Sequence, residues 1–418
     1  MWIAVIVSLA LLVVWWIRAA PRREIRRFVR ESMIFDPATA KAIEAVDRSA
    51  DFSAEMEDLA SDLPPYDDAV ILDGGRTALV TAHDGKIWKV DLATNVAAPF
   101  VDTPHMAWGI HEASGDPNHV YVCVSGSYGE RAPRDVAGIY RLALDTRTFE
   151  PIVLRVPETE IDHEHPVVYA DGDSNAPELR QDGSGGPSRA IVTCDNLEVT
   201  EDGRRIYFSE PFSYQNATVG DAVDEAIALT RNGRLWRHDL NSGITRLIAE
   251  GFHFINGILY DLHPGLPQEE SLIVTQTSLF RLTRFYLNGP KAGSSEVVLD
   301  GLTGTPDGID RDDAGRIWVA LFLERTKLLT WVHANAWVKP FLMRLPSKWL
   351  LSRQQRTGVL VLNSSGSQPL YAAFFKGTAL SSISSAVPSP AGIYLANVSL
   401  VDADRRPKGV QRLRWPFL

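Results

Sequence analysis

The sequence predicts an all-β fold, a six-bladed β-propeller, preceded by an N-terminal membrane-anchor helix. Two near-identical units, DGKIWKVDLATN at 84–95 and NGRLWRHDLNSG at 232–243, share a turn, a glycine, a tryptophan and a following Asp-Leu pair. IYRLALDTRT at 139–148 is a weaker third copy, and DGRRIYFSE, AGRIWVALF and AGIYLANV form a second recurrent unit. Repeated strand–turn–strand units indicate a radial propeller, and the alternation in IWKVDL is typical of half-buried strands.

These repeats divide the chain into three parts. We expect residues 1–20 to form the anchor helix, 21–63 a basic and then acidic helical neck, and 64–418 the propeller. Within the neck, Asp36-Pro37 predicts a helix start, because aspartate caps helices and proline suits the first turn. The six blades are placed at about 66–100, 105–155, 190–249, 252–300, 304–365 and 368–415.

Two segments interrupt the strand pattern and are predicted to be insertions. Residues 157–189 are polar and rich in glycine and proline, so they indicate a long connection between blades. Residues 324–355 are basic and aromatic, with apolar side chains at helical spacing. The second insertion is expected to be either a lid over one face of the propeller or a second membrane-touching surface.

The N-terminal segment is apolar and is followed by positive charge. Residues 2–17 are apolar apart from Ser8, and residues 1–30 contain six arginines and one glutamate. We expect a single-pass anchor, and the alternative is an interfacial basic helix formed by PRREIRRFVR. The positive charge favours a cytoplasmic body, whereas three Asn-X-Ser/Thr triplets would be used only in a secretory lumen. The side of the membrane therefore stays undecided.

Composition narrows the class of partner. The formal net charge is −10 although the first thirty residues are basic, and an acidic body argues against nucleic acid as a partner. The two cysteines, Cys123 and Cys194, lie in apolar strand-like runs, which excludes a disulfide-rich scaffold or a zinc motif. Buried free thiols are the simpler interpretation, and a bridge between neighbouring blades is the alternative.

Several motifs resemble the strictosidine synthase-like family of six-bladed propellers. They are NGRLWRHDL, FINGILY, RFYLNGPKAG, LTGTPDGIDRDDAGRIWVALF, KPFLMRLP and TGVLVLN. The family includes the adipocyte plasma membrane-associated proteins and is related to paraoxonases and gluconolactonases. The resemblance covers most of 64–415 and is densest over 190–322. It implies one calcium ion in the central tunnel, held by oxygen ligands from several blades.

The calcium ligands that the resemblance implies are matched only in part by the residues of this sequence. Asn256 in FINGILY and Asp307 in TPDGID match the family motif, whereas Gly308 replaces a usual asparagine. Asp67 aligns with a glutamate of the first blade, and Asp195 belongs to a pair that is swapped relative to the family. Carboxylate and amide oxygens suit hard divalent cations. For Asn256 and Asp307 the alternative is that they cap turns at strand starts.

Two further side chains are weaker candidates for a cation. Asp68 and Asn196 follow the first-blade and third-blade candidates directly in the chain. They would serve a second, structural cation, or act as ordinary turn residues at the surface.

The catalytic groups of the related enzymes do not carry over. Trp108 stands where paraoxonase-like enzymes place a general-base histidine, so His111 and His253 are the remaining candidates for a base. Ser381 stands where the plant synthase has its catalytic glutamate, and no carboxylate lies between Gly377 and Asn397. Strictosidine synthase chemistry is therefore not expected, despite the family name.

We expect a membrane-anchored, calcium-dependent hydrolase of esters or lactones, similar to an arylesterase or lactonase. The aromatic character of 324–355 indicates a small, apolar substrate. The alternative is a non-catalytic propeller that displays a binding surface at the membrane, because fold alone does not determine function. The substrate, the proton-transfer residue and the oligomeric state stay open at this point.

Overall fold

The structure is a computed structural model that contains protein only. It describes residues 2–19, 32–49, 56–60, 62–113, 115–126, 132–162, 164–182, 186–213, 222–262, 269–345, 347–350, 356–376, 380, 382–398 and 409–414.

Six α-helices and two 3₁₀ helices occur in these ranges. The α-helices are α1 Trp2–Ala19, α2 Pro37–Ala45, α3 Ala222–Ala228, α4 Lys327–Ala334, α5 Lys339–Leu342 and α6 Ser347–Leu350. The 3₁₀ helices are Thr277–Leu279 and Ala336–Val338. Asp36 caps α2 as predicted, since its carboxylate accepts a hydrogen bond from the backbone N–H of Ala38 at 2.9 Å. None of the helices in the described ranges has the length and hydropathy needed to cross a membrane.

Strands form most of the ordered structure. In chain order they are β1 Met56–Leu59, β2 Tyr66–Leu72, β3 Thr77–Ala82, β4 Lys86–Asp91, β5 Val96–Asp102, β6 Met106–Ala113, β7 Asp116–Ser125, β8 Gly138–Ala143, β9 Phe149–Val153, β10 Arg155–Pro157, β11 Val167–Val168, β12 Glu178–Arg180, β13 Ser188–Ala190, β14 Leu197–Val199, β15 Arg205–Glu210, β16 Gly233–Asp239, β17 Ile244–Phe252, β18 Ile255–Leu262, β19 Glu270–Gln276, β20 Arg281–Tyr286, β21 Ser295–Leu299, β22 Gly304–Arg311, β23 Ile317–Glu324, β24 Arg356–Leu362, β25 Pro369–Lys376, β26 Ile383–Ser389, β27 Gly392–Asn397 and β28 Val410–Leu413.

The strands pair as consecutive antiparallel groups of four. The groups are β2–β5, β6–β9, β14–β17, β18–β21, β22–β25, and β26–β28 completed by β1. The first strand of each group contacts the first strand of the next, and β26 returns to contact β2, so the six first strands close a ring. The prediction of an all-β, propeller-like fold is therefore confirmed.

The chain termini close the ring differently from the prediction. The neck was expected to be helical up to residue 63, but Met56–Leu59 is a strand that pairs antiparallel with Val410–Leu413. Glu57 also forms ion pairs with Arg412 and Arg414. The exposed edge of β28 offers unpaired backbone groups. Pairing them outweighs the weak helix propensity of this short segment.

Large apolar side chains fill the space between neighbouring groups. Trp108, Trp236 and the two cysteines are buried in one cluster between the second and third groups. Trp318 is buried between the fifth and sixth groups. The indole N–H of Trp236 donates to Glu210 at 3.2 Å and that of Trp318 to Asp312 at 2.8 Å, so the polar edge of each ring is satisfied.

Cys123 and Cys194 form a disulfide, which corrects the simpler interpretation of two free thiols. Cys123 lies in β7, and Cys194 lies in the segment that leads to β14. The Cα atoms are 5.3 Å apart, within the usual range for a bridge. The bond therefore joins the second strand of the second group to the segment that leads into the third group, next to Asp195.

The two interruptions of the strand pattern differ in placement. In the first, 157–189, strands β11 and β12 pair with β17, the outermost strand of the third group, and so cover its edge. In the second, α4 and α6 contact α3. Helix α3 belongs to the connection between β15 and β16 of the third group. We call residues 324–350 the cap. Gly304 pairs with Glu324, so the cap leaves the sheet at the end of β22 where Asp307 lies.

Candidate functional site

The centre of the ring is built by the first strands of the groups, which share a local irregularity. In β2, β6, β18, β22 and β26 the pairing register shifts at the same place, as in a β-bulge. A bulge turns extra side chains toward one side of the sheet. Here the affected residues face the central channel.

Glycine occupies the bulge where neighbouring groups approach most closely. A Cβ atom at Gly257 would lie 2.4 Å from the carbonyl oxygen of Asp307, and one at Gly308 would lie 2.5 Å from Oγ of Ser385. A Cβ at Gly109 would lie 2.9 Å from the Cα of Asn196. Gly308 therefore stands where the family has asparagine because the last group leaves no room for a side chain there.

Buried hydroxyl groups on the second strands accept hydrogen bonds from backbone N–H groups that the bulges leave without a partner in the sheet. The N–H groups of Asp68, Asn196 and Gly257 donate to the side-chain oxygens of Thr81, Ser209 and Thr275, respectively. Since a buried N–H without a partner is costly, these hydroxyls fix the position of each bulge. They thereby fix the direction of the residue that precedes it.

One residue precedes the bulge position in the first strand of each group. In five groups these residues are Asp67, Asp195, Asn256, Asp307 and Ser384, whereas Trp108, the equivalent residue of the second group, packs in the cluster between the second and third groups. We call the five positions the first level of the channel; the four predicted ligands belong to it, and their binding of one ion stays a prediction. Ser384, which the sequence did not single out, donates its hydroxyl to the carbonyl oxygen of Asp67 at 2.6 Å.

The pKa of each of the three carboxylates at this level is raised, chiefly by burial. Burial raises the pKa of Asp67 well above its usual range, and the charges of Asp307 and Asp195 raise it further. Burial and the charge of Asp195 likewise raise the pKa of Asp307, against the hydrogen bond donated by the amide of Asn256. Burial raises the pKa of Asp195 to about 7. The charges of Asp195 and Asp307 therefore act on neighbouring carboxylates of this level.

The donor set suits a calcium ion. Three carboxylates and one amide oxygen are hard ligands, and no lysine or arginine in the described part of the chain lowers the pKa of Asp67, Asp195 or Asp307. A cation between them would offset their repulsion. Within the same ranges, however, no group of three or more His, Cys, Asp or Glu side chains forms a metal-holding cluster. The ligand assignment therefore stays a prediction.

A second level of polar side chains lies further along the channel. His111 Nε2 is 3.2 Å from Glu198 Oε2, and Asp68, Asp310 and Ser385 line the same cavity. The weaker candidate Asn196 also lines it, while the carboxylate of Asp68 accepts from the backbone N–H groups of Ala69 and Ile110. The cavity volume is about 40 Å³, which suits a few water molecules rather than a substrate.

Sequence reasoning missed Glu198, Asp310 and Ser385. A signal for part of this set is present in the triplets Trp108–Ile110, Asn256–Ile258 and Asp307–Ile309, which all read X-Gly-Ile. The residues after the first and third triplets, His111 and Asp310, line the second level at equivalent positions, whereas Leu259, after the second triplet, packs in the apolar core. No comparable triplet marks Glu198.

Neither predicted base is suited to accept a proton at neutral pH. Burial opposes protonation of His111, but Glu198 and Asp310 outweigh it and raise its pKa to about 9. Burial lowers the pKa of His253 to about 3, and its Nδ1 lies 3.1 Å from the carbonyl oxygen of Thr230. His111 is therefore charged near neutrality and His253 is a very weak base. Ser381 lies outside the described residues.

The charge of His111 predicts a pH-dependent stability. Its pKa is about 9 in the folded protein against an ordinary 6.5, so its contribution is complete below pH 6.5 and is lost as pH rises through 9. Asp68, Asp310 and Glu198 face it across the channel. We expect His111→Asn to remove ~1–2 kcal/mol of unfolding free energy at pH 6, discounted because a third of the side chain is exposed.

Urea unfolding at pH 6 and at pH 10 measures this difference. The unfolding free energy lost in His111→Asn should be large at pH 6 and small at pH 10. His119→Asn, at a half-buried histidine of β7 that pairs with Asp116, is the matched control. Equal losses at both pH values for His111→Asn would contradict the assignment of the charge.

Comparison with known proteins confirms the resemblance to strictosidine synthase-like propellers. The chain is 29% identical over 170 residues to an adipocyte plasma membrane-associated protein of Salmo salar, covering 40% of this chain and 39% of that protein. It is 37% identical over 159 residues to strictosidine synthase-like protein 13 of Arabidopsis thaliana, covering 38% and 37%. The matches thus span about two fifths of these relatives. No protein-family model matches the sequence.

Solved structures agree with the fold. A gluconolactonase from Xanthomonas campestris superposes with a TM-score of 0.51 at 14% identity, covering 92% of this chain and 95% of that one. Similarity at this level of identity concerns the propeller architecture alone.

Proposed function

We propose that the protein is a six-bladed propeller, attached to a membrane through α1, that hydrolyses esters or lactones with calcium in its central channel. The observation that carries the proposal is the single level of side chains formed by Asp67, Asp195, Asn256 and Asp307. These four would hold the ion. When bound, it would supply Lewis acidity, which polarises a substrate carbonyl and stabilises the oxyanion.

The protein's own groups supply the proton transfer. Asp195 is one of the carboxylates that would hold the ion, so an oxygen that does not bind the ion would accept the proton released by the attacking water. We therefore assign it the role that His111 and His253 do not fit. Asp67, which also belongs to the first level, is the second carboxylate that would take this proton.

Membrane attachment rests on the exposure of α1. Its apolar side chains from Trp2 to Trp15 are exposed. An exposed apolar helix of this kind is stabilised by lipid. The Cys123–Cys194 disulfide supports an oxidising side of the membrane for the body, since such bonds persist in secretory, periplasmic and extracellular spaces.

Calcium titration of the full chain, together with hydrolysis assays on phenyl acetate and a panel of lactones, tests the proposal. We expect calcium binding by calorimetry and turnover that a chelator abolishes and added calcium restores. Because the curated relatives are matched over only part of their length, the substrate panel must include aliphatic and aromatic lactones. Calcium binding without turnover would favour a non-catalytic scaffold, and absence of both would overturn the calcium site itself.

A further inference from the structure

The cap carries an exposed aromatic face that the hydrolase proposal does not use. Leu328 is 70% exposed, Trp331 48%, Trp337 67% and Phe341 52%. We call these four side chains the aromatic face. They lie within fourteen consecutive residues, and a folded domain seldom exposes large apolar side chains so densely.

The helices of the cap hold these side chains on one side. Leu328 and Trp331 are three residues apart on α4 and therefore share a face of that helix. The rings of Trp331 and Trp337 meet edge to face, with centroids 6.4 Å apart. The opposite side of the cap is buried: Val332, Val338 and Met343 pack with Ile227 and Ala228 of α3. The exposure is thus a consequence of a well-packed cap.

The charge around the aromatic face is opposite to that of the whole chain. Residues 324–350 contain five lysines or arginines and one acidic residue, in a protein of net charge −10. Of the basic side chains, Lys327 is exposed and Arg344 half-buried. By contrast, Lys339 is buried and Arg325 donates to two backbone carbonyl oxygens. Tryptophan beside basic side chains is the composition that anionic headgroups attract. A basic protein partner would be repelled by this surface, and an acidic one would not require so many exposed tryptophans.

The chain that follows the apolar helix α1 meets the cap. The backbone N–H of Met33 donates to the carbonyl oxygen of His333 at the end of α4, at 2.9 Å. Next to it, Phe35 packs edge to face against Phe280, and the guanidinium of Arg325 lies 4.1 Å from the Phe35 ring centroid. Thirteen residues lie between Ala19 and Met33, so the end of α1 stays within about 50 Å of the cap.

We propose that the aromatic face docks the cap on an anionic lipid bilayer, as a contact distinct from α1. The cap leaves the sheet beside Gly304 and Glu324, at the end of the channel where Asp307 lies. Docking through the cap therefore turns that end of the channel toward the lipid. The docking is independent of the hydrolase activity, because none of the four side chains belongs to the channel.

A fluorophore on the cap reports whether it reaches lipid. The full chain is reconstituted with vesicles of phosphatidylcholine containing one-third phosphatidylserine, and a nitrobenzoxadiazole label is attached to Leu328→Cys. Both native cysteines are in the disulfide, so the label is specific. The matched control is Val96→Cys on β5, which is 60% exposed. We expect a blue shift and at least about threefold stronger quenching by lipid-borne quencher at 328 than at 96.

A second variant tests whether the tryptophans cause the contact. In the Leu328→Cys background, Trp331→Ser with Trp337→Ser should reduce the quenching to the level of the control, while α1 remains intact. The proposal fails if the label at 328 is not quenched, if both labels are quenched equally, or if the full chain does not bind vesicles. A concentration-dependent blue shift without vesicles would instead identify a second copy of the chain as the partner and would overturn lipid docking.

Discussion

Replacing Asp307 with asparagine is expected to weaken calcium binding by about a hundredfold or more and to abolish calcium-dependent hydrolysis. Asparagine keeps the size of the side chain and removes its charge. Asp307 is one of three carboxylates at the first level of the channel, and it accepts a hydrogen bond from the amide of Asn256, which would be a neutral ligand. Losing one carboxylate lowers the charge that attracts the cation and the number of hard oxygen donors.

The same substitution should have the opposite effect on the metal-free protein. Burial and the charge of Asp195 raise the pKa of Asp307, so the ionised group destabilises the fold at neutral pH. Asp307→Asn removes that cost and should raise the unfolding free energy without calcium by about 1 kcal/mol or more. With saturating calcium the order should reverse, because the wild type gains stability from the ion.

Calorimetric titration and thermal unfolding, each with calcium and with chelator, measure both effects. Asp310→Asn is the control, since it makes the same chemical change at the second level of the channel, where burial also raises the pKa. It should leave calcium affinity within a few-fold of the wild type. Unchanged calcium binding in Asp307→Asn would sink the metal assignment, and equal loss in both variants would point to a general effect of channel charge.

Removing the disulfide with Cys123→Ala and Cys194→Ala is expected to cost about 4 kcal/mol of unfolding free energy. The cysteines are 71 residues apart, and the entropy of a closed loop of that length in the unfolded chain corresponds to about this value. Both side chains are buried, so alanine leaves a small cavity but no unsatisfied polar group. The bond also holds the residue that precedes Asp195, so the variant should bind calcium more weakly.

Urea unfolding of both proteins with and without reductant isolates the contribution of the bond. Reductant should destabilise the wild type by nearly the whole difference and should leave the double variant unchanged. A variant as stable as the oxidised wild type would show that the two groups of strands are joined firmly without the bridge. Loss of stability with unchanged calcium affinity would remove the proposed link to Asp195.

Much of the fold could be predicted because its signals are local. The units around Trp88 and Trp236 repeat within a dozen residues, and each specifies a turn followed by an alternating strand. The N-cap at Asp36 is equally local and was found. The segment 56–59 was misjudged because its partner, Val410–Leu413, lies at the other end of the chain.

The candidate site could be predicted in part. Asn256 and Asp307 were predicted from their motifs, and in the structure the amide of Asn256 donates a hydrogen bond to the carboxylate of Asp307. From the sequence, Gly308 in place of the family's asparagine suggested a lost polar contact. The structure explains the glycine instead, because Ser385 approaches too closely to leave room for a side chain. The pairing of His111 with Glu198 was not anticipated, because it depends on two strands of different groups meeting across the channel.

The sequence by itself determined the strand repeats, the glycines of the bulges and the identity of the channel carboxylates, because these depend on residues near one another in the chain. Only the tertiary structure decided which strands close the ring, that the two cysteines are bonded, and that His111 is charged among Glu198 and Asp310. It also decided that the tryptophans of the cap face outward while its other side is buried. Closure of the ring, pairing of the cysteines and burial of the cap depend on contacts between segments that are far apart in the chain. A local sequence pattern does not show which distant segments come together.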